Sequence, residues 1–246
     1  ELIDYVILDK ENKTLSLYDI SLGRDSFIDG FKNIDSIEMA NNNNSEQKTK
    51  TITIKEKSSD KPITIEINKE SNSIIGYTNE NLTNLGDNFL GYNEKLSKLV
   101  APNVTSIKYG VLQNNKGLEK FEAPNLKEIG DCFLRYNVQL SNIEVPNVTY
   151  IGNDVLENNK SLKKIDAPNA EWIGSYFLTN NTKLSELYVP NLSKESKENL
   201  EYVFSVVKEN SKEGKTQNID STDIANLDKN YKITTSEIKR SRKDVI

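Results

Sequence analysis

With 246 residues, 35% of them hydrophobic and 28% charged, the chain is long enough to bury a core. It contains no histidine, which removes the imidazole base, the histidine metal ligand and the Ser-His and Cys-His catalytic pairs. A single cysteine, Cys132, excludes an internal disulfide and a cysteine-cluster zinc site, and a net charge of −5 argues against general nucleic-acid binding.

From the N-terminus, Glu1 follows no Met and opens no apolar leader, which reads as a processed or truncated piece whose address or anchor lies elsewhere. Tyr5-Val6-Ile7-Leu8 and Thr14-Leu15-Ser16-Leu17-Tyr18 flank a polar turn, and Thr51–Ile54 and Ile63–Ile67 alternate across Ser58-Ser59-Asp60-Lys61-Pro62; both pairs predict β-hairpins. Between them, Phe27-Ile28 followed by Ile34, Ile37 and Met39 copies a spacing that recurs later and reads as a degenerate first coil. Asn41–Lys48 is a polar loop whose asparagine run fits a genomic compositional bias. Residues 1–80 are therefore a β-rich N-terminal cap or a small separate domain, the cap being preferred.

Residues 81–192 repeat. Pro-Asn stands at Pro102, Pro124, Pro146, Pro168 and Pro190, each step being 22 residues. In the same register lie Leu85, Ile107, Ile129, Ile151 and Ile173; Leu90, Leu112, Leu134, Leu156 and Leu178; Asn93, Asn115, Asn137, Asn159 and Asn181; and Leu96, Leu118, Leu140, Leu162 and Leu184. In Leu184-Ser-Glu-Leu187-Tyr-Val189-Pro190, residues 187 and 189 share one face of a short strand that proline ends by withholding an amide proton. One such coil cannot enclose its own leucines, but stacked coils bury a continuous column, with parallel strands about 4.8 Å apart. The expectation is a solenoid of five repeats with one strand per coil. A glycine after the isoleucine would supply positive φ, and a single helical turn at Asp131–Tyr136 would lie on the outer side.

The pattern Leu162-x-x-Ile165-x-Ala167-Pro168-Asn169, continued by Ile173-Gly174-x-x-Phe177-Leu178-x-x-Asn181-x-x-Leu184, resembles the BspA-type leucine-rich repeats of bacterial surface proteins. The resemblance implies a curved solenoid with parallel strands on the concave face, used for adhesion and protein recognition at the cell surface or after secretion. That family often carries cysteine where this chain has Asn93 to Asn181.

Beyond the repeats, Ser193 is placed to cap a helix over 193–211, with Leu200, Val203, Phe204 and Val207 on its buried side, closing the end of the stack. Residues 212–246 are poor in apolar side chains and read as a polar tail or a strap along the solenoid; they hold the chain's basic run, Lys239-Arg240-Ser241-Arg242-Lys243.

Chemistry is sparse in this pattern. No imidazole is available to activate Cys132, no Gly-rich loop leads into Lys-Ser or Lys-Thr, and no Asp-x-Asp-x-Asp-Gly loop offers calcium ligands. The expectation is no catalytic residue, no metal and no cofactor. Asn81-Leu-Thr, Asn103-Val-Thr and Asn147-Val-Thr are formal glycosylation sequons, but asparagine at fixed stations is better explained by amides serving backbone groups in stacked turns.

The outward strand positions Val100, Glu122, Glu144, Asp166 and Tyr188 place three carboxylates in a row, with Lys120 and Lys164 in the adjacent column. This is either a solvated charged face or a site for a basic protein surface. Tyr150 and Trp172, at equivalent stations, with Tyr176 nearby, form a second patch that either anchors a partner or is covered by the tail.

The functional expectation is a non-enzymatic protein-binding module of a bacterial surface or secreted protein, monomeric, with no nucleic-acid partner and no membrane insertion. Its ligand is a protein with a basic surface, host surface and matrix proteins among the candidates. The alternatives are the substrate-selecting repeat region of a larger secreted effector or toxin, and a structural spacer.

Overall fold

The structure is a computed structural model that describes residues 5–9, 14–19, 26–31, 34–41, 48–71, 73–184 and 186–200. At the N-terminus β1 (Tyr5–Asp9), β2 (Thr14–Asp19) and β3 (Ser26–Phe31) form an antiparallel three-stranded sheet, and β4 (Ile34–Asn41), β5 (Thr49–Glu56), β6 (Ile63–Asn68) and β7 (Ile74–Thr78) are joined antiparallel in sequence order. Both expected hairpins are therefore present, as β1–β2 and β5–β6. The stretch read as a degenerate coil forms strands β3 and β4, antiparallel to β2 and β5. Alternation explains the second sheet: Ile52, Ile54, Ile63, Ile65 and Ile67 are buried, while the residues between them face outward.

The repeats follow as β8 (Asn84–Leu85), β9 (Lys98–Val100), β10 (Ser106–Ile107), β11 (Lys120–Glu122), β12 (Glu128–Ile129), β13 (Asn142–Glu144), β14 (Tyr150–Ile151), β15 (Lys164–Asp166), β16 (Trp172–Ile173) and β17 (Glu186–Tyr188). Each coil thus carries two strands, not the expected one. The even-numbered strands build a continuous parallel sheet, and the longer odd-numbered ones form a second, parallel face. β7 pairs parallel with β9, Tyr77 opposite Leu99, so the antiparallel strands β4 to β7 continue into the solenoid face and cover the edge of β9.

Between the two faces the repeated apolar side chains form one core. Leu85, Leu96, Val104, Leu118, Leu126, Leu140, Val148, Leu162 and Ile173 are fully buried. Burial of each such side chain is worth about 1.5–3 kcal/mol, obtained only because the next coil covers it.

The coil's third side is not helical. In the expected helical turn, Cys132, Leu134 and Tyr136 have φ of 60°, 55° and 62°, alternating with ordinary residues, and the other coils repeat the alternation. Successive amides consequently point to opposite neighbours: Leu134 N–H donates to Val111 C=O at 3.1 Å, whereas Cys132 and Tyr136 donate to Asn153 and Glu157 of the following coil, each at 2.9 Å. A helical turn would satisfy these groups within one coil; the left-handed residues, each costing about 1–3 kcal/mol, spend them on inter-coil bonds.

The repeated glycine also has a different reason from the expected one. None of Gly86, Gly130, Gly152 and Gly174 has a positive φ; among the described residues the one glycine that does is Gly110, outside this column. A Cβ on Gly130 would sit 2.8 Å from Ile107 C=O, and one on Gly174 would sit 2.7 Å from the Asn153 amide nitrogen. Close approach of successive coils excludes the side chain. Gly86, in the first full coil, meets nothing within 4 Å.

Two asparagine ladders tie the stack together. Asn115, Asn137, Asn159 and Asn181 donate through Nδ2 to the carbonyls of Leu90, Leu112, Leu134 and Leu156 at 2.7–2.8 Å, and Asn103, Asn125, Asn147, Asn169 and Asn191 do the same to Glu80, Pro102, Pro124, Pro146 and Pro168. At the far end residues 194–200 are helical. Ser193 Oγ accepts the Ser196 N–H at 3.2 Å, an N-cap, while Ser196 Oγ and Asn199 Nδ2 bond the amide and carbonyl of Ile173 on the last short strand. The rest of the expected helix and the tail lie outside the described residues.

Candidate functional site

The outward side chains of the odd-numbered strands form a regular surface along the repeats. Pairing sets Lys98 beside Lys120, Val100 beside Glu122, Glu144 beside Asp166, and Asp166 beside Tyr188. Of the expected run of three carboxylates, Glu144 and Asp166 are strand neighbours, but Glu122 and Glu144 are not, because β11 and β13 do not pair.

Lysines thread this face. Lys120 Nζ is 2.6 Å from Glu122, on its own strand, and Lys164 Nζ lies 3.9 Å from Glu144 and 3.8 Å from Asp166. One lysine shared between two carboxylates leaves Glu144, with 71% of its side chain exposed, incompletely neutralised. Exposed pairs of this kind contribute little to stability, about 0–1 kcal/mol, so they exchange readily for partner contacts. Val100 and Tyr188 are half-buried at the two ends of the row.

The second expected patch is only partly assembled. Tyr150 and Trp172 are register partners on β14 and β16, and their rings stack at 6.4 Å with an interplanar angle of 3°. Tyr176 lies in the turn run that follows, at φ 60°, with 48% exposure. Whether the tail covers Trp172 concerns residues outside those described.

Two features escaped the sequence reading. A group of exposed tyrosines, Tyr92, Tyr109 and Tyr136, surrounds Arg135 and Cys132 on the turn side. Burial alone would lower the Arg135 pKa, but the hydrogen bond and charge of Glu157 hold it above its ordinary value. Burial pushes the Cys132 thiol up, and its hydrogen bond with Tyr109 raises the phenol. Tyr92 and Tyr136 share one column of the repeat, in which Asn114, Asn158 and Asn180 also stand, and Tyr109 belongs to another, so no unbroken periodic signal announces the group.

The other feature is a groove of about 470 Å³ on the strand face between β11 and β13, with Phe121, Glu122, Asn142 and Glu144 in its walls. Its signal was available: Phe121 is the one aromatic residue in the column Leu99, Phe121, Ile143, Ile165, Leu187.

The formal sequons carry amides already engaged: Asn103 and Asn147 in the second ladder, and Asn81 with Glu56 Oε2 and Lys61 C=O, each at 3.3 Å. Among the described residues no group of three or more His, Cys, Asp or Glu side chains is placed to hold a metal, and no helix is long and apolar enough to cross a membrane.

Parallel-stranded 22-residue coils, sealed by apolar columns and asparagine ladders, define a leucine-rich-repeat solenoid. The pattern described as the BspA type Leucine rich repeat region matches in six copies, over residues 20–133 and 83–206. The chain belongs to that family. Its repeats are in general protein-interaction modules. The match takes in β3 and β4, where the backbone is antiparallel. Comparison with curated proteins and with solved structures returned no match.

Proposed function

We propose that this chain is a non-enzymatic recognition module of a bacterial surface or secreted protein, binding a protein partner through the outward face of its odd-numbered strands. The observation that carries the reading is the set of carboxylates on that face, Glu122, Glu144 and Asp166, rimmed by Val100 and Tyr188, of which Glu144 and Asp166 are strand neighbours sharing Lys164. Structural economy does not account for like charges on adjacent parallel strands, which repel across about 4.8 Å. A basic protein surface removes that repulsion on docking and gains speed of encounter from the field of the row.

The test is capture from host and bacterial extracts on the immobilised chain, run beside a variant carrying Glu122→Lys, Glu144→Lys and Asp166→Lys. Retention of a defined protein set that falls at least ten-fold with the variant is the expected result, and retention falls with added salt as well. Equal capture by both chains removes the strand face from the function.

A further inference from the structure

The odd-numbered strands are joined by two series of backbone bonds, and both stop at one junction. In the first series the amides of Asn79, Ala101, Val145 and Ala167 donate to the carbonyls of Val100, Glu122, Asp166 and Tyr188 at 2.9–3.0 Å. The corresponding bond from Ala123 to Glu144 is not made. In the second, Ser97, Glu119 and Lys163 donate to Ile75, Ser97 and Ser141 at 2.7–2.9 Å, and Ser141 to Glu119 is missing. On the opposite face the same two coils stay joined, with β10 and β12 in register and Lys127 N–H bonded to Thr105 C=O at 2.8 Å. The stack is therefore opened on its strand side alone, leaving the groove of about 470 Å³.

Phe121 explains the opening. Its counterparts Leu99, Ile143, Ile165 and Leu187 are buried, whereas Phe121 is only partly so, its ring edge-on to Phe133 at 5.1 Å. Phe133 is fully buried. Two rings compete for one core station, and the strand residue is the one displaced. Two junctions earlier the contest ends the other way: Tyr77 is fully buried, Phe89 is the partly exposed ring of a pair 5.6 Å apart, and β7 and β9 remain bonded.

We propose that the gap between β11 and β13 is a slot for an extended, basic segment of the protein partner, which lies in it as an added strand. This deepens the recognition reading above and rests on it. Main-chain groups on both walls lack the partners that their counterparts have, and such groups favour any strand that supplies them. The walls also state what side chains the segment should carry. Level with Phe121 and Ile143 it faces the core and needs a small apolar residue. Level with Glu122 and Glu144 it faces outward between two carboxylates and needs Lys or Arg. Level with Lys120 and Asn142 it needs a neutral polar residue. Parallel to its neighbours, the segment reads polar, apolar, basic.

The probe is a labelled eight-residue peptide with Ser-Val-Lys at its centre, titrated onto the full chain by fluorescence anisotropy, with hydrogen exchange recorded at the amides of Ala123 and Ser141. Binding, protection of both amides, and at least a ten-fold weaker affinity when Glu replaces the peptide's Lys are expected. Phe121→Leu lets the strands close and should weaken binding at least ten-fold; Phe133→Val, which relieves the same contest from the other side, serves if Phe121→Leu does not fold. No binding, or binding unaffected by both substitutions and without amide protection, overturns the slot. Peptide binding that appears only after deletion of residues 212–246 assigns the slot to the chain's own basic run and overturns the partner. If charge reversal on the face abolishes capture from extracts while Phe121→Leu leaves it intact, the slot fails and the face stands; capture that survives both removes both.

Discussion

Replacing Asn159 by alanine separates a ladder between coils from a merely local turn. Asn159 is fully buried, its Nδ2 donates to Leu134 C=O at 2.8 Å, and its Oδ1 accepts the Asn137 N–H at 3.0 Å. Alanine removes both bonds and leaves a buried carbonyl and a buried amide without partners, at roughly 1–3 kcal/mol each. The expected loss is about 3–5 kcal/mol, a large part of the roughly 5–15 kcal/mol that holds a typical domain. Asn93 is the control: equally buried, it heads the ladder, its Nδ2 finds no partner, and its Oδ1 accepts only the Lys95 N–H at 3.3 Å. Its replacement by alanine should cost about 1 kcal/mol. Urea unfolding followed by far-ultraviolet circular dichroism measures both. Equal losses at the two positions would refute the inter-coil role, since, apart from a 3.3 Å bond from Asn159 Nδ2 to Glu157 C=O within its own coil, it is the neighbour contacts that distinguish them.

Gly152→Ala places a Cβ 2.4 Å from Asp131 Oδ1 and 2.8 Å from the Asp131 amide nitrogen, and should cost about 1–3 kcal/mol, lowering the melting temperature, whereas Gly86→Ala, with nothing within 4 Å, should not lower it. Equal melting points for the two variants would dissolve the close-approach argument. Because burial raises the Cys132 pKa, the folded thiol keeps its proton at a pH where the unfolded one has lost it. The unfolded state then binds fewer protons, so this group's contribution to stability is present at neutral pH and lost as pH rises from the ordinary thiol range toward the folded pKa. Alkylation by iodoacetamide should accordingly be slow at neutral pH and accelerate only above that range; a fast reaction at neutral pH would show that the thiol is not held in its buried, protonated form.

The stations of Leu, Ile, Asn and Pro were legible without coordinates because a stacked coil meets the same surroundings every 22 residues, and identical surroundings select the same residue type. That periodicity determined the solenoid, the parallel strand face with its outward columns, and the structural use of the asparagines. Tertiary structure decided what depends on the coil above or below. The post-isoleucine glycine looks like a turn residue in one dimension, yet Gly130 and Gly174 are required by backbone 2.7–2.8 Å away in the previous coil. Leu134, which a helical reading suits, takes φ of 55° because its amide is claimed by Val111. The carboxylate row is continuous in the aligned repeats but interrupted in space between Glu122 and Glu144. One bulky residue, Phe121, meets Phe133 in the next coil, and a column of letters does not show two side chains competing for the same volume.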